Sequence, residues 1–236
     1  MSVATRTLGR SGIEVGAIGF GAWAIGGPMY AADGAALGWG EVDDDESIAA
    51  LRRAIDLGIT FIDTADAYGC GHSERIIGRA IAGHRDQVVI ATKFGNVYDE
   101  TTRTLTGTDV SPKYIRWACR ASLERLGTDH IDLYQLHVGD MPLERVDEVI
   151  ATLEDLVSEG LIRYYGWSTD DPDRIAAFAK GPHCVAVQNQ MNLFDDAPGI
   201  LAVCETHDLA SVNRGPLAMG LLTGKFDAAS RLPGAD

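Results

Sequence analysis

The chain has 236 residues, 46% of them hydrophobic and 23% charged, which is enough apolar material for a substantial core. Its formal net charge of −14 argues against nucleic acid or an anionic membrane as a partner. The cysteines Cys70, Cys119, Cys184 and Cys204 show no metal or redox spacing, no run approaches the ~20 apolar residues of a membrane span, and the first residues lack a basic-then-apolar leader. A reduced, cytoplasmic protein is therefore expected.

Residues 7–15 read as a short hairpin around Gly9 to Gly12, suited to closing one end of a barrel. A first strand is predicted over Ala17 to Phe20, followed by a Gly- and Ala-rich loop from Gly26 to Gly40. Asp43 and Glu46 offer a helix start, Ile48, Leu51 and Ile55 form its apolar stripe, and Gly58 ends it. Strand two runs from Thr60 to Ile62, and helix two starts at Ser73 with Ile76, Ile77 and Ile81 inward. Strand three is Val88 to Thr92, and Ser111-Pro112 opens helix three, serine as cap and proline in the first turn. After strand four, Ile131 to Leu136, helix four repeats Leu143, Val146, Val149, Ile150, Leu153, Leu156 and Val157 until Gly160 stops it. Strand five is Ile162 to Trp167, helix five begins at Pro172, strand six is Val185 to Gln190, helix six spans about Pro198 to His207, and strand seven is Ala210 to Asn213. Alternation of this kind implies parallel strands, whose carboxyl ends carry the ligand site.

Four ionisable residues stand at or just past those ends: Asp63 and Tyr68, then Lys93, then His137. Taken singly, each has an ordinary structural use, as turn cap, loop plug, strand-end lysine or packed histidine. Their equivalent placement on strands two, three and four favours one shared site. A lysine ammonium lowers the pKa of a nearby phenol, a carboxylate orients the ammonium, and a histidine can hydrogen-bond a carbonyl oxygen or pass on a proton. Such a set suits carbonyl reduction, and because no side chain supplies hydride it requires a nicotinamide cofactor. Gly19-Phe20-Gly21-Ala22-Trp23-Ala24 mimics the dinucleotide fingerprint, but no helical period follows it, so that reading is rejected.

The segment Phe61-Ile62-Asp63-Thr64-Ala65-Asp66-Ala67-Tyr68-Gly69 resembles the signature of the aldo-keto reductases. So do Leu8-Gly9-Arg10-Ser11-Gly12, Thr92-Lys93, Leu136-His137 and Gly215-Pro216-Leu217-Ala218-Met219-Gly220-Leu221-Leu222, in order along nearly the whole chain. The resemblance implies a (β/α)8 TIM barrel that binds NADP(H), with NAD(H) as the alternative, across its top without a Rossmann domain. It implies that Asp63, Tyr68, Lys93 and His137 are the catalytic tetrad, with Tyr68 the general acid. Only seven strands are legible, so residues 1–236 are expected to form one barrel domain lacking its last βα portion at the C-terminus, together with the segment that would settle NADPH against NADH.

By the same resemblance, Ser168 and Gln188 match the residues that bond the nicotinamide carboxamide. Thr169 stands where the family often has Asn and is expected to keep a hydroxyl contact only. Arg214 replaces an aromatic residue against the nicotinamide ring, and Gly215, Leu217, Gly220 and Leu222 belong to the loop crossing the pyrophosphate, with Lys225 adding charge. Trp23 and Trp39 are expected in the substrate pocket. The expected partner is a small aldehyde or ketone; oligomeric state is unread. A nucleotide-binding regulatory relative, like the β subunits of voltage-gated potassium channels, and an inactive fragment of the enzyme are the alternatives. A metal-dependent hydrolase ranks below them, since His137 alone of six histidines stands at a strand end.

Overall fold

A computed structural model describes residues 4–227 and 230; the rest of the polar 230–236 tail lies outside the described residues. An N-terminal hairpin pairs β1 (Thr5–Thr7) antiparallel with β2 (Glu14–Gly16). The chain then alternates β3 (Phe20–Gly21), α1 (Asp44–Asp56), β4 (Phe61–Asp63), α2 (His72–Ile81) and β5 (Val89–Phe94). A second hairpin, β6 (Asn96–Asp99) with β7 (Thr104–Thr108), precedes α3 (Pro112–Leu126) and β8 (Ile131–Leu136). There follow α4 (Val146–Ser158), β9 (Ile162–Ser168), α5 (Pro172–Phe178), β10 (Cys184–Gln190), α6 (Pro198–His207) and β11 (Ala210–Arg214).

Seven strands form one parallel sheet in the order β11-β10-β9-β8-β5-β4-β3. Among the described residues β3 and β11 are its two unpaired edges. Each strand except β3 is preceded by a helix packed on the outer face, as sequential βα connections require. Between sheet and helices lies the larger core, in which Leu51, Ile76, Ile90, Ile115, Leu153, Trp167 and Phe178 are fully buried. A smaller cluster fills the inner face, where Leu8, Ile13 and Val15 of the hairpin meet Phe61, Ala91, Leu133, Val185 and Ala186.

Local signals explain most boundaries. The Asp43 side chain accepts from the Glu46 N–H at 2.9 Å and Ser111 accepts from the Tyr114 N–H, so both expected caps form. Strand one is later and shorter than Ala17 to Phe20, because the Ala17 N–H is taken by Ala4 O of the hairpin and Ile18 faces solvent at the sheet edge. Leu143 is 45% exposed rather than on the stripe of helix four, since a 3-10 turn over Leu143–Arg145 puts it out of phase with α4. The β6–β7 hairpin was not anticipated: its alternation is brief and sits within a polar stretch.

The N-terminal hairpin is locked under the strands' amino ends. Arg10 donates to three backbone carbonyls, of Ala179, Gly181 and Cys184, at 2.7–2.9 Å. Gly9 has φ +51°, and a Cβ there would lie 2.3 Å from Val185 O. Gly9→Ala should therefore cost at least about 1–3 kcal/mol, from a left-handed backbone plus a clash with rigid strand backbone. A urea melt with the parent's midpoint would show that the hairpin is not seated as described.

Candidate active site

The carboxyl end of β4 stops at Asp63, and the loop from Thr64 to Gly71 folds back over the sheet. It is pinned along its length. The Thr64 N–H donates to Ala91 O at 2.8 Å, the Thr64 hydroxyl meets Ser73 Oγ at 2.9 Å, and Ser73 Oγ donates to Ala22 O at 2.9 Å. Gly26 and Gly69 let this loop lie backbone to backbone on the Trp23–Gly27 turn. A Cβ on Gly69 would fall 1.8 Å from Gly26 O, and one on Gly26 would fall 2.8 Å from the Tyr68 carbonyl carbon. Gly19 likewise makes room for the Phe61 ring, and only a 3-10 turn, Ala24–Gly26, follows this glycine run. Gly26 and Gly69, outside the rejected fingerprint, are thus the glycines that seat the Tyr68 loop, while Gly19 serves the Phe61 ring.

Lys93, fully buried on β5, points into this loop. Its Nζ lies 2.9 Å from both carboxylate oxygens of Asp63, 2.7 Å from Thr64 O and 3.2 Å from Tyr68 Oη. Burial alone would lower its pKa, but Asp63 and Tyr68 together hold it above the usual lysine value, so the ammonium stays charged. Burial is also the largest influence on Tyr68. It raises the phenol's pKa, with Asp63 adding to it, by more than Lys93 and Arg214 lower it. The lowered phenol pKa expected from Lys93 therefore does not hold: the ammonium moderates an acidity that desolvation has weakened. Because Tyr68 Oη accepts from Lys93, its own proton must be directed elsewhere.

His137 follows β8 and presents its ring edge to Tyr68, 5.9 Å between centroids. Burial, with Lys93 and Arg214, drives its pKa down to about 3, so the imidazole is neutral near neutral pH. Nδ1 is buried without a partner among the described residues. Of the two expected uses, hydrogen bonding to an oxygen fits a neutral ring; supplying a proton does not. Trp23 stacks on Tyr68 at 6.2 Å and meets Trp39 edge-on at 5.5 Å, and Trp39 is 53% exposed, so the pair forms an aromatic wall from the phenol outward.

The expected cofactor residues occupy the neighbouring rim. Ser168 and Gln188 are paired in register at the ends of β9 and β10. Gln188 Nε2 donates to Asp63 Oδ1 at 2.7 Å, which ties it to the charge pair. Thr169 Oγ1 donates to Gly139 O and accepts from the Asp171 N–H within its own loop, which leaves one lone pair for a further donor. Arg214 ends β11, pairs with Asp170 and reaches Gln190 Oε1 at 3.4 Å. Its charge is felt at both Tyr68 and His137. The loop from Gly215 through Leu217, Gly220 and Leu222 is tightly turned, with Leu217 O accepting from the N–H groups of Gly220 and Leu222. Lys225 lies over the Phe226 ring at 5.1 Å, exposed beside Gly220.

Sequence reasoning missed the buried groups behind β5. Glu74, fully buried on α2, accepts from Thr92 Oγ1 at 2.6 Å and from Arg125 Nε at 2.7 Å. The signal was present, because Glu74 shares an i, i+3, i+7 line with the inward Ile77 and Ile81 and so demanded a partner. Asp66, 1% exposed, keeps Oδ1 without a partner among the described residues. Gln135, fully buried inside the sheet's curve next to Lys93 in register, has neither amide atom paired among them.

This geometry and the sequence agree on one lineage, since the profile of the Aldo/keto reductase family matches residues 17–234. The chain belongs to that family. It is 39% identical over 227 residues to the uncharacterized oxidoreductase YqkF of Bacillus subtilis, covering 95% of this chain and 69% of YqkF. The glycerol dehydrogenase AKR11B4 of Gluconobacter oxydans superposes with a TM-score of 0.83 at 34% identity, over 100% of this chain and 70% of its own. An aldo/keto reductase of Klebsiella pneumoniae, solved with NADP and acetate, superposes with a TM-score of 0.73 at 33% identity, over 97% of this chain and 74% of that one. The seven parallel strands are thus the greater part of the family's (β/α)8 barrel.

Burial, then repulsion by Glu74, raises the Asp66 pKa well above the usual carboxyl range, so the folded chain keeps it protonated where the unfolded chain, titrating near about 4, would not. The stabilisation from holding this proton is complete below that unfolded value and is lost as pH rises toward the folded one. Asp66→Asn, which cannot ionise, should gain in melting temperature over the parent as pH goes from about 5 to about 8. A gap independent of pH would show that Asp66 is ionised in the fold.

Proposed function

We propose that this chain reduces an aldehyde or ketone to an alcohol with NADP(H) as hydride donor, NAD(H) being the alternative. The observation that carries the reading is the buried ammonium of Lys93, held by Asp63 and donating to Tyr68 Oη at 3.2 Å. A charged donor on that oxygen has no use in packing, and it lowers the cost of the phenolate left after the proton departs. When bound, the nicotinamide supplies hydride to the carbonyl carbon. Tyr68 then gives its proton to the carbonyl oxygen, and Lys93 and Asp63 stabilise the charge that remains.

Neutral His137 steadies the same oxygen through a ring N–H, which polarises the carbonyl without competing as an acid. Trp23 and Trp39 orient the substrate and keep water from its apolar side. The rim suits a nicotinamide dinucleotide: Ser168 and Gln188 would hold its carboxamide, and half-exposed Arg214 would offer a planar cation to its ring or phosphate. Gly215, Leu217, Gly220 and Leu222 would carry the pyrophosphate, with Lys225 beside it. The NADP of the Klebsiella neighbour supports this choice of cofactor. The four cysteines are free and buried, which fits the reducing cytoplasm. No described helix is long and apolar enough to cross a membrane.

If Tyr68 is the general acid, Tyr68→Phe should bind NADPH as the parent does, read by fluorescence titration. It should lose roughly 10²–10⁴ in kcat for an aldehyde. Turnover near the parent's would remove Tyr68 from the mechanism.

A further inference from the structure

Asp63 Oδ1 receives two hydrogen bonds. One comes from Lys93 on the adjacent strand at 2.9 Å; the other comes from Gln188 Nε2 at 2.7 Å. β10 and β4 are separated in the sheet order by β9, β8 and β5, so Gln188 reaches Asp63 across the inner face of the curled sheet. Gln188 is 4% exposed, and a carboxylate only accepts, so the amide must present its nitrogen there.

Lys93 has three N–H bonds and three partners, the Asp63 carboxylate, Thr64 O and Tyr68 Oη. The first is a side chain able to rotate, the second a fixed carbonyl. The direction of the proton on Tyr68 Oη therefore depends on where the carboxylate is held. Asp63 is on the last residue of a three-residue strand and its side chain is 19% exposed. Gln188 is its hydrogen-bond anchor outside the Lys93 pair. Gln188 Oε1 makes no hydrogen bond among the described residues and remains able to accept an N–H from a bound amide.

We propose that Gln188 is a positioning residue, which by anchoring Asp63 from the opposite side of the sheet aims the Lys93 ammonium at Tyr68. The inference rests on the reductase reading for its purpose but not for its test.

The test reads the ammonium directly, through proton exchange of the Lys93 side chain in 15N-lysine-labelled protein, its resonance identified by its loss in Lys93→Met. Gln188→Met keeps the volume and removes the donor. It should speed Lys93 exchange roughly tenfold or more, the order expected for loss of a hydrogen bond to a charged group, in a protein that still unfolds cooperatively. In an Asp63→Ala background, where no side-chain acceptor is left for Gln188, the same substitution should add nothing, because the effect runs through Asp63. If Gln188→Met does not fold, the near-isosteric Gln188→Glu serves, placing an acceptor against Asp63, and must also speed exchange. Unchanged exchange in a folded variant, or equal acceleration with and without Asp63, would overturn the proposal. Failure of the chain to reduce any carbonyl would sink the reductase reading and leave this result standing.

Discussion

An ammonium group taken wholly out of water is the constraint around which this molecule is arranged. Lys93 is tolerable inside the sheet only because a carboxylate, a backbone carbonyl and a phenol meet its three N–H bonds. Those partners come from one strand end and one loop. That loop must be held to within a few tenths of an ångström, and the Thr64–Ser73–Ala22 hydrogen bonds and the Gly26–Gly69 backbone contact hold it. The structural cost of burying the lysine and the chemical use of its charge are thus the same arrangement.

The region behind β5 repeats the pattern with opposite emphasis. Glu74 and Arg125 are a second buried pair, and Glu74 accepts from the hydroxyl of Thr92, the residue preceding Lys93. This pair ties α2 and α3 to the strand, whereas the Asp63 pair sits against the Tyr68 hydroxyl. Protonated Asp66 lies between the two, and the charges around it oppose one another: Glu74 raises its pKa while Arg125 and Lys93 lower it. Desolvation outweighs the opposing charges here, as it does at Tyr68, and at His137 Lys93 and Arg214 act with it, whereas at Lys93 the charges of Asp63 and Tyr68 prevail over burial.

The regular parts of this design were legible in the sequence. Helices α1, α3 and α6 begin where Asp43, Ser111-Pro112 and Pro198 indicate, because capping is a local interaction. The convergence of Asp63, Tyr68, Lys93 and His137 was legible because each stands at or just past the carboxyl end of a parallel strand. Two features were not. Strand one slid to Phe20–Gly21 because its preceding residues were claimed by a hairpin whose pairing is non-local. The net rise in the Tyr68 pKa came from the depth of burial, which no residue pattern records.

The account's central claim is that the Lys93 charge acts on the Tyr68 proton. It is tested most directly by the pH dependence of kcat for aldehyde reduction in Lys93→Met beside the parent. Loss of the ammonium should lower kcat and shift its alkaline limb to higher pH, since the acid must stay protonated to act and the phenolate has lost its stabilising cation. A Lys93→Met protein whose alkaline limb coincides with the parent's would contradict the account.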